Sequence, residues 1–236
     1  MWQLIDSGKK TAFENMELDE KLLEKLNPQG PAILHLYGWK NPSATYGYFM
    51  KVDQCLNLDG AKLCGLHLAR RPTGGGVIFH VADLAFSVLV PAKHEGFSEN
   101  TLENYKFVND RVLRSVEACI KGQGWELLPN HLMPQDEACS YFCMAKPTIY
   151  DVMLGDKKIA GAAQRKRKQG FLHQGSIALA MPKQEFLEQV LLPGTQVMEA
   201  MRMYTHTLLG DSWVDEELEE MRHLVVQQLK QVFLEG

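Results

Sequence analysis

Residues 68–80 read Leu-Ala-Arg-Arg-Pro-Thr-Gly-Gly-Gly-Val-Ile-Phe-His, and the glycine triplet at 74–76 limits what this chain can build more than any other feature. An apolar alternation precedes it (Leu63, Gly65, Leu66, Leu68) and a β-branched pair follows (Val77, Ile78), so the order describes a strand, a tight glycine loop and a second strand. Three glycines lower β propensity and cost conformational entropy, so they belong where backbone bends sharply or comes close to something. Exposed N–H groups beside the guanidinium groups of Arg70 and Arg71 suit a phosphate or carboxylate. A hairpin tip carrying two solvated arginines accounts for the stretch equally well. Neither a Walker loop nor a dinucleotide fingerprint is present, because no Lys-Ser/Thr follows and the spacing is not G-x-G-x-x-G.

The rest of the chain narrows the class. With 236 residues and 45% hydrophobic content it supports a substantial core, and one α+β domain is the simplest parse. No window nears the ~20 apolar residues of a membrane span and the start lacks signal-peptide character, so the cytoplasm is the expected address. A net charge of −4 argues against nucleic acid as a partner, although Arg165-Lys166-Arg167-Lys168 is locally basic. Five cysteines without a C-x-x-C pair suit reduced thiols, and the histidine and cysteine spacings give no metal site.

Periodicity predicts a strand over 2–7, a helix over 12–26, strands over 31–37 and 44–49, and a short helix within 53–65. A buried strand over 84–90 and a long helix from Ser98 or Asn100 to about Lys121 follow, with Ser98 the expected N-cap. A loop around 130–137, a hairpin over 148–163, a strand over 171–179, helical sequence from Pro182 and an amphipathic helix over 214–233 complete the pass.

The second informative stretch is Gly155-Asp-Lys-Lys-Ile-Ala-Gly-Ala-Ala-Gln164. Small residues at Ala160, Gly161, Ala162 and Ala163 admit backbone or ligand, and Lys158 could project into the space they leave as a point charge for an acyl or phosphoryl oxygen. An ordinary hairpin with solvated lysines is the bland alternative.

Together the two motifs carry a resemblance. Arg70-Arg71-Pro72-Thr73-Gly74-Gly75-Gly76 with His80, followed by Lys158-Ile-x-Gly-x-Ala-Gln-Arg165, resembles the signatures of the lipoate-protein ligase A family, which includes lipoyl and octanoyl transferases. Supporting likeness lies at Asn15-Met16 with Asp19-Glu20, at Trp39, Pro42 and Gly47, and at Gly175-Ser176. The resemblance implies an α+β catalytic domain of the biotin/lipoate ligase type, a mixed β-sheet flanked by helices, spanning 1–236 without a C-terminal accessory domain. It implies substrate or nucleotide contacts at Arg70, Arg71, Thr73, Gly74, Gly75, Gly76, Val77, Ile78, Phe79, His80, Gly161 and Ala163, with Arg71 reaching phosphate and Lys158 catalytic. His80 reads better as a hydrogen-bonding support of the loop than as an acid or base.

Two chemistries compete within that resemblance. A ligase would use ATP and Mg²⁺ to make lipoyl-adenylate; a transferase would hold an octanoyl group on a cysteine as a thioester and need no cofactor. The glycine triplet and the basic run favour the ligase, which is the leading expectation; against it, the K-G-x-x-S-V-R-S-R adenylate loop has no counterpart over 193–209. For the transferase stand Cys143, in Cys143-Met-Ala-Lys-Pro147-Thr-Ile-Tyr150, and Asp83-Leu-Ala-Phe-Ser87, with Lys146 and Lys158 able to favour a thiolate. Either would acylate a lysine on a lipoyl domain of a 2-oxoacid dehydrogenase E2 subunit or on the glycine-cleavage H protein. An acyl carrier protein is the implied donor in one case and a separate accessory chain the implied helper in the other. His173-Gln174-Gly175, where many members carry H-H-G, leaves open a member that binds without turnover.

Overall fold

The computed structural model describes residues 1–129 and 147–235. Its centre is a seven-stranded mixed sheet, order β1-β2-β6-β10-β9-β8-β7, built from β1 (Trp2–Lys10), β2 (Ala32–Trp39), β6 (Asp83–Pro91), β7 (Trp125–Leu127), β8 (Val152–Leu154), β9 (Lys157–Arg167) and β10 (Gly170–Ala178). Among the described strands of this sheet only the β1–β2 pairing is parallel, and α1 (Ala12–Glu24) makes that crossover. Thr11 starts α1 with a capping box: its side chain accepts from Glu14 N while the Glu14 carboxylate takes the Thr11 N–H at 2.9 Å.

A second sheet of three strands, order β4-β3-β5, comes from β3 (Ser43–Tyr46), β4 (His67–Arg70) and β5 (Val77–Phe79). The two strands flanking the glycine loop therefore do not pair with each other. β3 lies between them, parallel to β4 and antiparallel to β5, so the expected hairpin tip is a crossover over a third strand.

One face of the large sheet carries α3 (Thr101–Cys119) and α6 (Asp215–Glu235), which place Val108, Val112, Val116, Val225, Leu229 and Phe233 against Leu34, Phe86, Val88 and Ile177. The N-cap of α3 is Asn100, not Ser98; the Asn100 side chain accepts from Leu102 N, and Ser98 instead accepts the Asn100 N–H. The opposite face carries α1 and, past it, the small sheet packed with α2 (Leu58–Leu63), α4 (Gln184–Val190) and α5 (Val197–Tyr204). β7 has no counterpart among the sequence expectations, and the helical sequence expected from Pro182 divides into α4 and α5. β7 is three residues long, and α5 follows directly on the Pro193-Gly194 loop with no side-chain cap to mark its start.

The basic run proves to be the end of β9. Arg165 and Arg167 reach Glu20 at 3.4 and 3.2 Å, Arg167 also meets Glu24, and Lys166 pairs with Glu99. These side chains fasten the strand to α1 and to the loop before α3 instead of standing free for a partner or nucleotide.

Candidate active site

The glycine loop is held from inside by Arg71. Its guanidinium is buried, and it donates to Thr45 O at 2.8 Å, Thr45 Oγ1 at 3.0 Å, and to Gly74 O and Gly76 O at 2.9 Å each. The arginine expected to reach phosphate is thus turned into the loop it precedes. A planar fork of donors is what clamping three carbonyls demands. Gly75 has φ +94°, and a Cβ on Gly47 would run into the Gly75 carbonyl, so the loop also needs glycine just past the end of the strand it crosses.

His80 continues the same support. Thr45 Oγ1, which accepts from Arg71, is also hydrogen-bonded to His80 Nε2 at 2.8 Å, and His80 Nδ1–H donates to Asp83 Oδ2 at 2.8 Å. Ser176 Oγ donates to the same carboxylate oxygen at 2.6 Å, and Trp39 stacks on the His80 ring.

A second buried chain ties the loop to α1. Thr73 Oγ1 donates to Gln174 Oε1 at 2.7 Å, Gln174 Nε2 donates to Asp19 Oδ2 at 2.6 Å, and Asp19 also accepts from Ser87 and from His35 Nδ1. Gln174 uses both ends of its amide: one accepts from the loop, the other donates to the acid. His173 faces the other side, fully buried, and burial pushes its imidazole down to about 3, so it is neutral.

Lys158 owes its position to a β-bulge. The β8–β9 register pairs Met153 with Lys158 but Val152 with Ala160, leaving Ile159 as the extra residue. Residues three apart on a regular strand face opposite ways; the bulge brings Lys158 onto the face of Gly161. There Lys158 Nζ pairs with Asp151 Oδ2 at 2.7 Å, and both side chains are buried. A Cβ on Gly161 would collide with Lys158 Cε and Nζ, so this glycine is the floor under the ammonium. Thr148 N donates to Asp151 Oδ2 at 2.6 Å. Burial raises the Asp151 carboxyl above its ordinary 3.8, and the Lys158 charge opposes that rise.

Gly161 pairs across the sheet with Ser176, and Ala163 with Gln174, so Lys158 shares a face with the residues that hold the glycine loop. Beside Ser176 a narrow, mostly apolar cleft runs between Ile78, Ala178, Met181 and Met201. Of the loop residues expected at a tunnel, Ile78 and Phe79 line this cleft, Phe79 also meeting Phe186 edge to face, whereas Val77 is packed in the core behind it. Arg70 is exposed and sits 4.7 Å over the Tyr48 ring.

The sequence reading passed over Asp151, Thr45 and Asp19 as partners. Only Asp151 left a signal, as the acid of Thr148-x-x-Asp151 opening the hairpin that carries Lys158. Cys139, Cys143, Lys146 and the loop expected over 130–137 lie outside the described residues. Of the described thiols, Cys55 and Cys119 are both pushed up to about 11 by burial. Among the described residues no group of three or more His, Cys, Asp or Glu side chains is placed to hold a metal ion, and no helix is long and apolar enough to cross a membrane.

A family model described as the lipoyl protein ligase A/B catalytic domain matches residues 11–235. The octanoyltransferase LipM of Anoxybacillus flavithermus is 28% identical over 249 residues, covering 100% of this chain and 84% of the relative. That of Halalkalibacterium halodurans is 30% identical over 208 residues, covering 85% and 74%. Among solved structures, lipoate-protein ligase A bound with ATP matches with a TM-score of 0.67 at 25% identity, over 98% of this chain and 84% of that one. A match through both motif strands, the glycine loop and the helices that bracket them places the chain among enzymes of protein lipoylation: it belongs to the lipoyl protein ligase A/B catalytic domain family.

Proposed function

We propose that this chain is a cysteine-dependent octanoyltransferase, moving an octanoyl group from a carrier-protein thioester to a lysine of a lipoyl domain or of the glycine-cleavage H protein. The observation that carries the reading is the pair of relatives above, both octanoyltransferases, matched over 85% and 100% of the chain. The ATP-dependent ligase, favoured on sequence, gives way to it. Arg71 supports the change, since its donors serve loop carbonyls and Thr45. On this reading neither ATP nor Mg²⁺ takes part, and the chain works as one catalytic domain in the cytoplasm.

The chemistry proceeds in two exchanges. Cys143, which enters on its sequence context, adds as thiolate to the donor thioester carbon; the new C–S bond forms, the old one breaks, and the carrier leaves as a thiol after taking a proton. The neutral ε-amine of the acceptor lysine then adds to the enzyme thioester, forming the amide and returning the Cys143 sulfur, with the amine's proton passing to it. In both exchanges negative charge gathers on the acyl oxygen, and Lys158, held by Asp151 on the floor of Gly161, is the cation to stabilise it. The narrow cleft along Ile78, Met181 and Met201 offers the apolar lining an alkyl chain would take on widening it, each buried methylene contributing about 0.8 kcal/mol.

Intact mass spectrometry of an apo lipoyl domain tests the assignment. Octanoylation from octanoyl-carrier protein without ATP, lost in Cys143→Ser, is the expected result. Modification only with ATP, Mg²⁺ and free lipoate would establish the ligase instead, and no modification in either arm would favour a member that binds without turnover.

A further inference from the structure

We propose that the Thr205 hydroxyl is a second hydrogen-bond donor to the acyl carbonyl oxygen, acting beside Lys158; the proposal rests on the acyl-transfer reading of this site. Three observations converge on it. Where β10 ends at Ala178, Thr205 takes the place next to β9: it forms a parallel bridge with Lys158, and His206 N donates to Lys158 O at 2.9 Å. Residues bridged in this way lie about 4.8 Å apart and turn their side chains to the same face. Thr205 therefore shares the face on which Lys158 lies over Gly161.

Thr205 also lines the apolar cleft, together with Ile78, Ser176, Met181 and Met201. Its residue is more than nine-tenths buried, at 8% exposure, and its Oγ1 has no hydrogen-bond partner among the described residues. A buried hydroxyl left without a partner costs on the order of 1–3 kcal/mol; Ser176, the other hydroxyl of the lining, already donates to Asp83, so the Thr205 hydroxyl beside Met181 and Met201 calls for a polar atom of something the cleft receives. An alkyl chain offers none. The polar atom such a substrate brings is the carbonyl oxygen at its head, and Lys158, the neighbour of Thr205, is the residue that meets that oxygen. The cation supplies charge and the hydroxyl supplies direction, the combination expected of an oxyanion site.

The test compares Thr205→Val, which keeps the shape and removes the donor, with Thr205→Ser, which keeps the donor. Octanoyl transfer is followed under saturating donor, and thermal unfolding checks the fold; Thr205→Ala stands in should the valine variant not fold. Loss of one such donor is expected to lower kcat on the order of 100-fold with little change in KM, with serine restoring most of the rate. Unchanged kcat in Thr205→Val, or an equal loss in the serine variant, would overturn the proposal. If the wild type acylates only with ATP and lipoate, the octanoyltransferase reading fails, and the same comparison made on that reaction decides the role of Thr205 separately.

Discussion

Gly161 and Lys158 occupy one face of β9 although three residues separate them, because the extra residue Ile159 turns the strand between them. What a Cβ at position 161 would meet is the far end of a flexible side chain, not backbone. Gly161→Ala is therefore expected to fold, with a stability lowered to the extent that the ammonium is pushed from its buried partner Asp151, and to lose transfer by ten-fold or more, on the order of what misplacing a catalytic group costs. Paired measurements of unfolding midpoint and kcat check this. Gly47→Ala is the contrast, since there the obstacle is the Gly75 carbonyl and the backbone itself must shift.

Removing the cation of Lys158 affects more than the reaction. Lys158→Met is expected to abolish transfer and also to destabilise the fold by about 3–5 kcal/mol, because Asp151 would remain buried without its partner. The double variant Lys158→Met/Asp151→Asn should regain most of that stability and none of the activity. Denaturant titrations of the two single variants and the double variant give the coupling directly.

Arg71→Lys tests the clamp. An ammonium cannot span Thr45 O, Gly74 O and Gly76 O together, so buried carbonyls lose donors at about 1–3 kcal/mol for each one left unsatisfied. A lower unfolding midpoint with a raised KM for the acyl donor is the expected outcome. A phosphate-binding role would instead leave stability unchanged.

His173 sets the acid limb of stability. Its imidazole falls from the ordinary 6.5 to about 3 on burial, so between those values the unfolded chain binds a proton that the folded chain does not. This stability is fully present above pH 6.5 and is lost at up to about 1.4 kcal/mol per unit as the pH falls toward 3. Urea unfolding at a series of pH values should show that slope, and His173→Gln should flatten it.

Much of the architecture was legible in the periodicity. β6 reads as an unbroken buried strand, α6 as an amphipathic helix, and both motifs announced loop and hairpin. What stayed hidden depends on register and on contacts far apart in sequence. No local pattern shows that β3 inserts between β4 and β5, because that pairing is fixed by packing. The bulge at Ile159 is equally silent: a two-residue alternation sends Lys158 and Gly161 to opposite faces. The arginines illustrate the same limit, since a motif names the residue type but not the carbonyls that Arg71 finds around it.

The insertion of β3 has one more consequence, for how a substrate gets in. The ends of the glycine loop are anchored on strands separated by a third, about 10 Å apart, and its middle is fastened through Arg71 and through Thr73 to Gln174. A segment tethered at both ends and along its span cannot swing as a flap. It is a fixed wall, so entry and release of the acyl chain must depend on movement of whatever faces it.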